Sequence, residues 1–142
     1  MRYTRNLRGP ILVAVSVVIL GAAAWNQSVP SPDPDNLVGT WTVDLRPTPD
    51  AEPYLQAFVV ISVSEEGFGG EFYGTPIEEG RLNLDWGAVR FAFVTADGSG
   101  SYHHAGILRD GRLEGTTHSL GRDFLAHSLG RDFLAYWTAT RD

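Results

Sequence analysis

The chain contains neither cysteine nor lysine among its 142 residues. The absence of cysteine excludes a disulfide scaffold and a zinc ribbon, so a hydrophobic core has to hold the fold. Basic charge is scarce: 11 arginines stand against 17 acidic residues, and the formal charge of −6 disfavours nucleic acid as a partner. Apolar residues make up 43% of the chain, which excludes disorder over its whole length and suffices for one domain.

The N-terminus has the pattern of a signal peptide, which we predict for residues 1–24. Three arginines precede an apolar stretch from Ile11 to Ala24 that ends in three alanines. Residues 11–25 would reach only ~22 Å as a helix, against a hydrocarbon core of ~30 Å, so cleavage is favoured over a retained anchor. We therefore predict a secreted or periplasmic protein, with a membrane-anchored one as the alternative.

A proline-rich spacer follows the signal peptide over residues 25–36. Prolines at positions 30, 32 and 34 favour an extended, polyproline-type conformation. The folded domain is then predicted to span residues 37–142.

From residue 37 onward the sequence predicts short strands and no long helix. Apolar runs are separated by turn residues every eight to twelve positions or so, which is typical of an all-β sandwich or barrel. Asp97–Gly100 and Asp110-Gly111 are strong hairpin turns, and Glu79-Gly80 is interpreted as a further turn. About eight strands joined in this way close most simply into a single antiparallel up-and-down β-barrel, with a β-sandwich as the alternative.

Alternation along the predicted strands assigns side chains to faces. Trp41 and Val43 share one face of the first strand, and Phe91 and Phe93 share one face of a later strand. In residues 54–64 the odd positions are all apolar, whereas the even positions include Gln, Ser and Ser.

The segment Gly39-Thr40-Trp41, together with Arg141 just past the last strand, resembles the Gly-x-Trp signature of the calycin barrels, the lipocalins and avidins. The resemblance implies that Trp41 packs at the barrel floor, that Arg141 stacks on its indole, and that Gly39 allows a close approach. The chain is also similar to small exported bacterial proteins, a similarity that adds no activity. The resemblance supports an architecture and leaves the ligand open.

A nine-residue segment occurs twice without change, in residues 118–126 and 127–135. Because nine is odd, equivalent residues such as Leu120 and Leu129 would face opposite sides of one continuous strand. The two copies therefore cannot both present the same side chains to a core. We expect the second copy to serve the final strand and the first to form a distorted hairpin.

Residues 126–130 (Ala-His-Ser-Leu-Gly) match a variant of the nucleophile elbow of lipases, and residues 117–121 are a near copy. The elbow needs a strand, a strained turn and a following helix on a parallel sheet. Here a β-type run follows, and no oxyanion loop can be assigned. A small serine hydrolase is therefore the remote alternative, and we predict no catalytic residues.

Four histidines raise the question of a metal site. His103 and His104 are adjacent, so they point to opposite faces of a strand, and His118 and His127 belong to the duplicated unit. Nothing in the sequence fixes a third ligand near any of them. We predict neither a metal nor a cofactor.

Aromatic residues remain as candidates for a binding site. Most should pack in the core, but those at a barrel mouth would suit an apolar or sugar-like ligand. The candidate ligand-binding residues are Trp86, Tyr73, Tyr102 and Arg90.

The sequence thus predicts an exported, non-catalytic module that binds a small-molecule ligand or an envelope partner. The alternative is a structural or interaction domain with a filled barrel. Membrane contact is expected only through an uncleaved N-terminal segment, and the oligomeric state is left open.

Overall fold

The computed structural model describes residues 31–65, 67–120 and 133–141. The predicted signal peptide, the first part of the spacer and most of the duplicated segment lie outside the described residues. The end of the spacer is not extended: a 3-10 helix spans Pro34–Leu37. Asp33 caps this helix by accepting a hydrogen bond of 3.0 Å from the backbone N–H of Asp35, and Pro34 occupies the first turn, where its missing N–H costs nothing.

Nine strands form one sheet. They are β1 (Gly39–Asp44), β2 (Leu55–Ser64), β3 (Gly67–Phe72), β4 (Thr75–Pro76), β5 (Glu78–Asn83), β6 (Val89–Asp97), β7 (Gly100–Arg109), β8 (Arg112–Ser119) and β9 (Phe133–Arg141).

The sheet is a single antiparallel meander that is nearly closed into a barrel. The strand order is β4-β3-β2-β1-β9-β8-β7-β6-β5, so every hydrogen-bonded neighbour except β9 on β1 is also a neighbour in the chain. The predicted up-and-down barrel is confirmed. It has one strand more than the eight expected, and the additional strand is β4, which is only two residues long. Both predicted hairpin turns are present, because Asp97 pairs with Gly100 and Arg109 pairs with Arg112.

The barrel closes where β3 faces β5, and two glycines permit that approach. A Cβ on Gly67 would overlap the carbonyl oxygen of Gly80, and a Cβ on Gly80 would overlap that of Phe68. The interpretation of Glu79-Gly80 as a turn is therefore wrong. The pair lies inside β5, where Glu79 has a φ of 52° and the register against β6 shifts, because the strand has to bend towards β3 at this point.

Aromatic side chains fill the middle of the barrel. The ring of Phe58 is fully buried and lies within 6.4 Å, centroid to centroid, of five other rings. These are Phe68, Phe72, Phe91, Phe93 and Trp137. Such edge-to-face and offset contacts add about 0.5–1.5 kcal/mol per pair to the burial of the rings.

In the first part of β2 the even positions face inward, against the apolar bias of its odd positions. Phe58 and Val60 are buried, whereas Leu55 and Ile61 are 54% and 68% exposed. Beyond Val60 the register against β3 shifts, and Val63, which pairs with Phe68, packs against the core. The alternation in β1 and β6 agrees with the prediction, since Trp41, Val43, Phe91 and Phe93 are all buried.

The two ends of the barrel differ. At the closed end, where β1 begins and β9 ends, the 3-10 helix places the fully buried Leu37 under the sheet. The mouth is the opposite end, where β1, β3, β6 and β8 finish and β2, β7 and β9 begin. The last three residues of the second repeat copy, Phe133–Ala135, start β9, and the first two of the first copy, His118 and Ser119, end β8.

Candidate functional site

Trp41, Arg141 and Gly39 meet at the closed end. The guanidinium carbon of Arg141 lies 4.3 Å from the centroid of the Trp41 ring, and the indole N–H of Trp41 donates to the carbonyl oxygen of Leu37 at 2.9 Å. One terminal nitrogen of Arg141 also donates to the carbonyl oxygens of Asn36 (2.6 Å) and Val38 (2.9 Å). Because both residues are committed to backbone carbonyls that precede β1, this group ties the end of the chain to its beginning and covers the floor.

Gly39 lies directly beside this group. Its φ of 136° is a conformation that side chains rarely adopt, and a Cβ there would be 3.5 Å from Nε of Arg141. Glycine at this position therefore lets β1 begin under the arginine.

Only two of the four predicted ligand-binding residues are brought together. Trp86 is 75% exposed and lines a cavity of about 580 Å3 at the closed end, together with Trp41, Arg141 and Asp110. Arg90 is exposed on the outward face of β6 and lines neither this cavity nor the one at the mouth. Tyr73 and Tyr102 do share a cavity, and it lies at the mouth.

The mouth cavity has a volume of about 300 Å3 and reaches down to the packed core. Four aromatic rings line it, those of Tyr54, Phe72, Tyr73 and Tyr102. Its polar lining includes the side chains of Thr95, His104 and Thr117. A largely apolar lining with a few convergent polar groups is the usual composition of a small-molecule site.

His104 lies at the polar base of the mouth cavity and is only 4% exposed. Its Nε2 is 2.9 Å from the hydroxyl of Thr95, and its Nδ1 is 2.8 Å from the hydroxyl of Thr117. The ring stacks on Phe93, with 4.4 Å between centroids and an interplanar angle of 11°. The indole N–H of Trp137 donates to the same Thr117 hydroxyl at 3.0 Å, so the network continues into the core.

Burial, and to a smaller extent the nearby His103 and His118, lower the pKa of His104 to about 4. The imidazole is therefore neutral at pH 7, with one ring nitrogen as donor and the other as acceptor. A threonine hydroxyl can either donate or accept a hydrogen bond, so Thr95 and Thr117 satisfy both ring nitrogens in either tautomer.

Two hydroxyl groups meet on one side of the rim. The Tyr54 and Tyr73 hydroxyls are hydrogen-bonded to each other, and their rings meet edge to face, 6.0 Å apart at an angle of 62°. This hydrogen bond is the main reason that the pKa of Tyr73 is raised above its ordinary value.

On the other side of the rim the β6–β7 turn holds Tyr102. The hydroxyl of Ser99 is 2.7 Å from that of Tyr102 and donates to the carboxylate of Asp97 at 2.5 Å. Asp97 also accepts the backbone N–H of Ser99 at 2.7 Å, which fixes the turn.

Tyr73 has an unusual backbone for its residue type. Phe72 pairs with Thr75, and the two residues between them, Tyr73 and Gly74, have φ values of 55° and 70°. Positive φ at both central positions is typical of a type I′ turn, whose first position favours Asn, Asp or Gly. A tyrosine in this left-handed conformation costs about 1–2 kcal/mol, and here its ring forms a wall of the mouth cavity.

Four residues of the mouth cavity were not among the predicted site residues, namely Tyr54, Thr95, His104 and Thr117. The two predicted turns contain the signal that could have found most of them. A turn that pairs Asp97 with Gly100 also pairs Thr95 with Tyr102, and a turn that pairs Arg109 with Arg112 pairs His104 with Thr117.

The other chemical motifs contribute little to this site. Ser119, in the near copy of the lipase-like pentapeptide, is buried, and its hydroxyl donates to the carbonyl oxygen of Ser101 at 3.0 Å. The full pentapeptide, residues 126–130, lies outside the described residues. Within 31–65, 67–120 and 133–141, no three His, Asp or Glu side chains are grouped as metal ligands.

Comparisons of the chain with protein-family models, curated proteins and solved structures found no match. In the part of the chain that the structure describes, no helix has the length and apolar character needed to cross a membrane.

Proposed function

We propose that the protein is an exported, non-catalytic calycin-like barrel that binds a small ligand in its mouth cavity. The observation that carries the proposal is the mouth cavity itself, about 300 Å3 in volume, with Tyr, Thr and His side chains converging on it. Aromatic faces match apolar or sugar-like rings, and the hydroxyl and imidazole groups supply hydrogen bonds that fix orientation.

The rest of the barrel supports a binding role for the mouth. Its middle is filled by Phe58 and the surrounding rings, and its closed end is occupied by Trp41 and Arg141. The larger cavity near Trp86 lies at the closed end, where Trp41 and Arg141 line it together with charged residues of both signs, including Asp33 and Arg109. The mouth is thus where an apolar ligand would be best withdrawn from water.

A thermal-shift screen against lipids, glycans and cofactor-like molecules tests the proposal. A ligand present at a hundredfold excess over its Kd stabilises the fold by about 2.7 kcal/mol, which raises the unfolding temperature by roughly 10 °C in a domain of this size. Absence of a shift with every compound would count against ligand binding.

Two matched alanine variants locate the effect. Ala135→Leu fills the mouth cavity, whereas Ala92→Leu adds the same atoms to the exposed outer face of β6. We expect the ligand-induced shift to disappear in Ala135→Leu and to persist in Ala92→Leu. An equal shift in both variants would place the ligand elsewhere.

A purely structural or envelope-interaction domain is the second candidate. Its supporting observation is the filled middle of the barrel, together with exposed apolar side chains on the outer faces of β2 and β9, namely Leu55, Ile61, Leu134 and Tyr136. Unchanged stability with every small molecule, combined with a loss of assembly on Ile61→Ser, would favour this candidate over ligand binding.

A further inference from the structure

The charge of the mouth cavity selects among small ligands. Among the described residues that line it, Asp97 carries the formal charge, and no arginine is present. His104, at its base, is neutral at pH 7. The chain as a whole carries a formal charge of −6, so its field also favours the approach of cations. A carboxylate or phosphate would find no cationic partner among these lining residues.

The aromatic walls favour a cation as well. The edge-to-face pair of Tyr54 and Tyr73 forms a corner, and Tyr102 and Phe72 line the same cavity. The face of each ring is electron-rich, and aromatic cages of this composition attract ammonium groups.

The backbone of Tyr73 gives an independent indication. The first position of its type I′ turn would be filled at lower cost by Asn or Gly. The tyrosine nevertheless stands there, and its ring lines the cavity. Backbone strain of this kind is concentrated at functional sites, where the side chain has a role that the turn does not need.

We propose that the mouth cavity binds an organic cation, a substituted or quaternary ammonium group held against Tyr54, Tyr73 and Tyr102 beside the carboxylate of Asp97. This inference rests on the proposed small-molecule function and names the class of ligand. The methyl groups of such a cation contact the ring faces, and a hydroxyl on the same molecule can reach the Thr95–His104–Thr117 network.

Calorimetric titration with choline and with its neutral isostere 3,3-dimethylbutan-1-ol separates charge from shape. We expect choline to bind at least about tenfold more tightly than the isostere, which corresponds to one or two cation–π contacts. Asp97→Asn, which retains an acceptor for the Ser99 turn, and Tyr73→Leu should each weaken choline binding. Tyr136→Leu removes an exposed tyrosine from the outer face of β9 and should leave choline binding unchanged.

Each other outcome has a distinct meaning. Equal affinity for the two compounds would overturn the cation preference and leave small-molecule binding standing. Binding of neither compound, while other molecules in the thermal-shift screen bind, would do the same. If no compound in either experiment binds, both the cation preference and the proposed function fail.

Discussion

Acidification should destabilise the barrel through His104. The folded-state pKa is about 4, whereas the ordinary value is 6.5. Because the unfolded chain binds a proton more readily, stability is complete above about pH 6.5 and falls as pH drops towards the folded pKa. Between pH 7 and pH 5 the free energy of unfolding should therefore fall by about 2 kcal/mol, which is a substantial part of the stability of a typical domain.

The assay is urea unfolding at several pH values between 7 and 5, followed by tryptophan fluorescence. The salt-bridged Asp44, whose pKa Arg46 lowers, loses its contribution only near and below pH 4, outside this window. His104→Gln keeps a donor and an acceptor for the two threonines but cannot be protonated, so its stability should vary little over the same range. His103→Gln, on the exposed neighbour, should retain most of the slope, because burial is a larger cause of the lowered pKa of His104 than the charge of His103. A slope that survives in His104→Gln would refute the assignment.

Three further predictions concern the closure, the floor and the rim. Gly80→Ala should cost about 1–3 kcal/mol in urea unfolding, because its Cβ meets backbone that cannot yield, whereas Gly98→Ala, with nothing within 4 Å of its Cβ, should be nearly neutral. Arg141→Met should cost about 1–3 kcal/mol through its lost carbonyl hydrogen bonds and ring contact; a cost no larger than that of the exposed Arg90→Met would contradict the floor assignment. Tyr73→Asn should relieve backbone strain yet weaken any ligand of the mouth cavity, so an unfolding temperature that falls while affinity is unchanged would exclude the proposed role.

The architecture of the barrel could be predicted from local signals. Asp-Gly turns and period-two alternation act over a few residues, so they fix hairpins such as β6–β7 and β7–β8 without any knowledge of the rest. The face of β2 could not be predicted in this way. The other strands cover the face of β2 that carries Phe58 and Val60. Which face is covered depends on contacts with residues that are far away in the sequence.

The residues of the candidate site could also be predicted only in part. Tyr73 and Tyr102 were identified as aromatic candidates, but Trp86 and Arg90 are found at other places on the barrel. His104 was not predicted as a site residue because it was considered alone, without the residues that pair with it on the neighbouring strands. The Glu79-Gly80 pair was misinterpreted because its glycine serves a close approach between β5 and β3, which turn statistics do not include.

The most direct test of a ligand site at the mouth is an NMR titration of the isotope-labelled chain with the compound that stabilises it most in the thermal-shift screen. We expect amide shift changes to concentrate at Tyr73, Tyr102 and His104 and the closed end, at Trp41 and Arg141, to be unaffected. Changes centred on Trp41 and Arg141, or spread over the outer faces of the strands, would contradict this expectation.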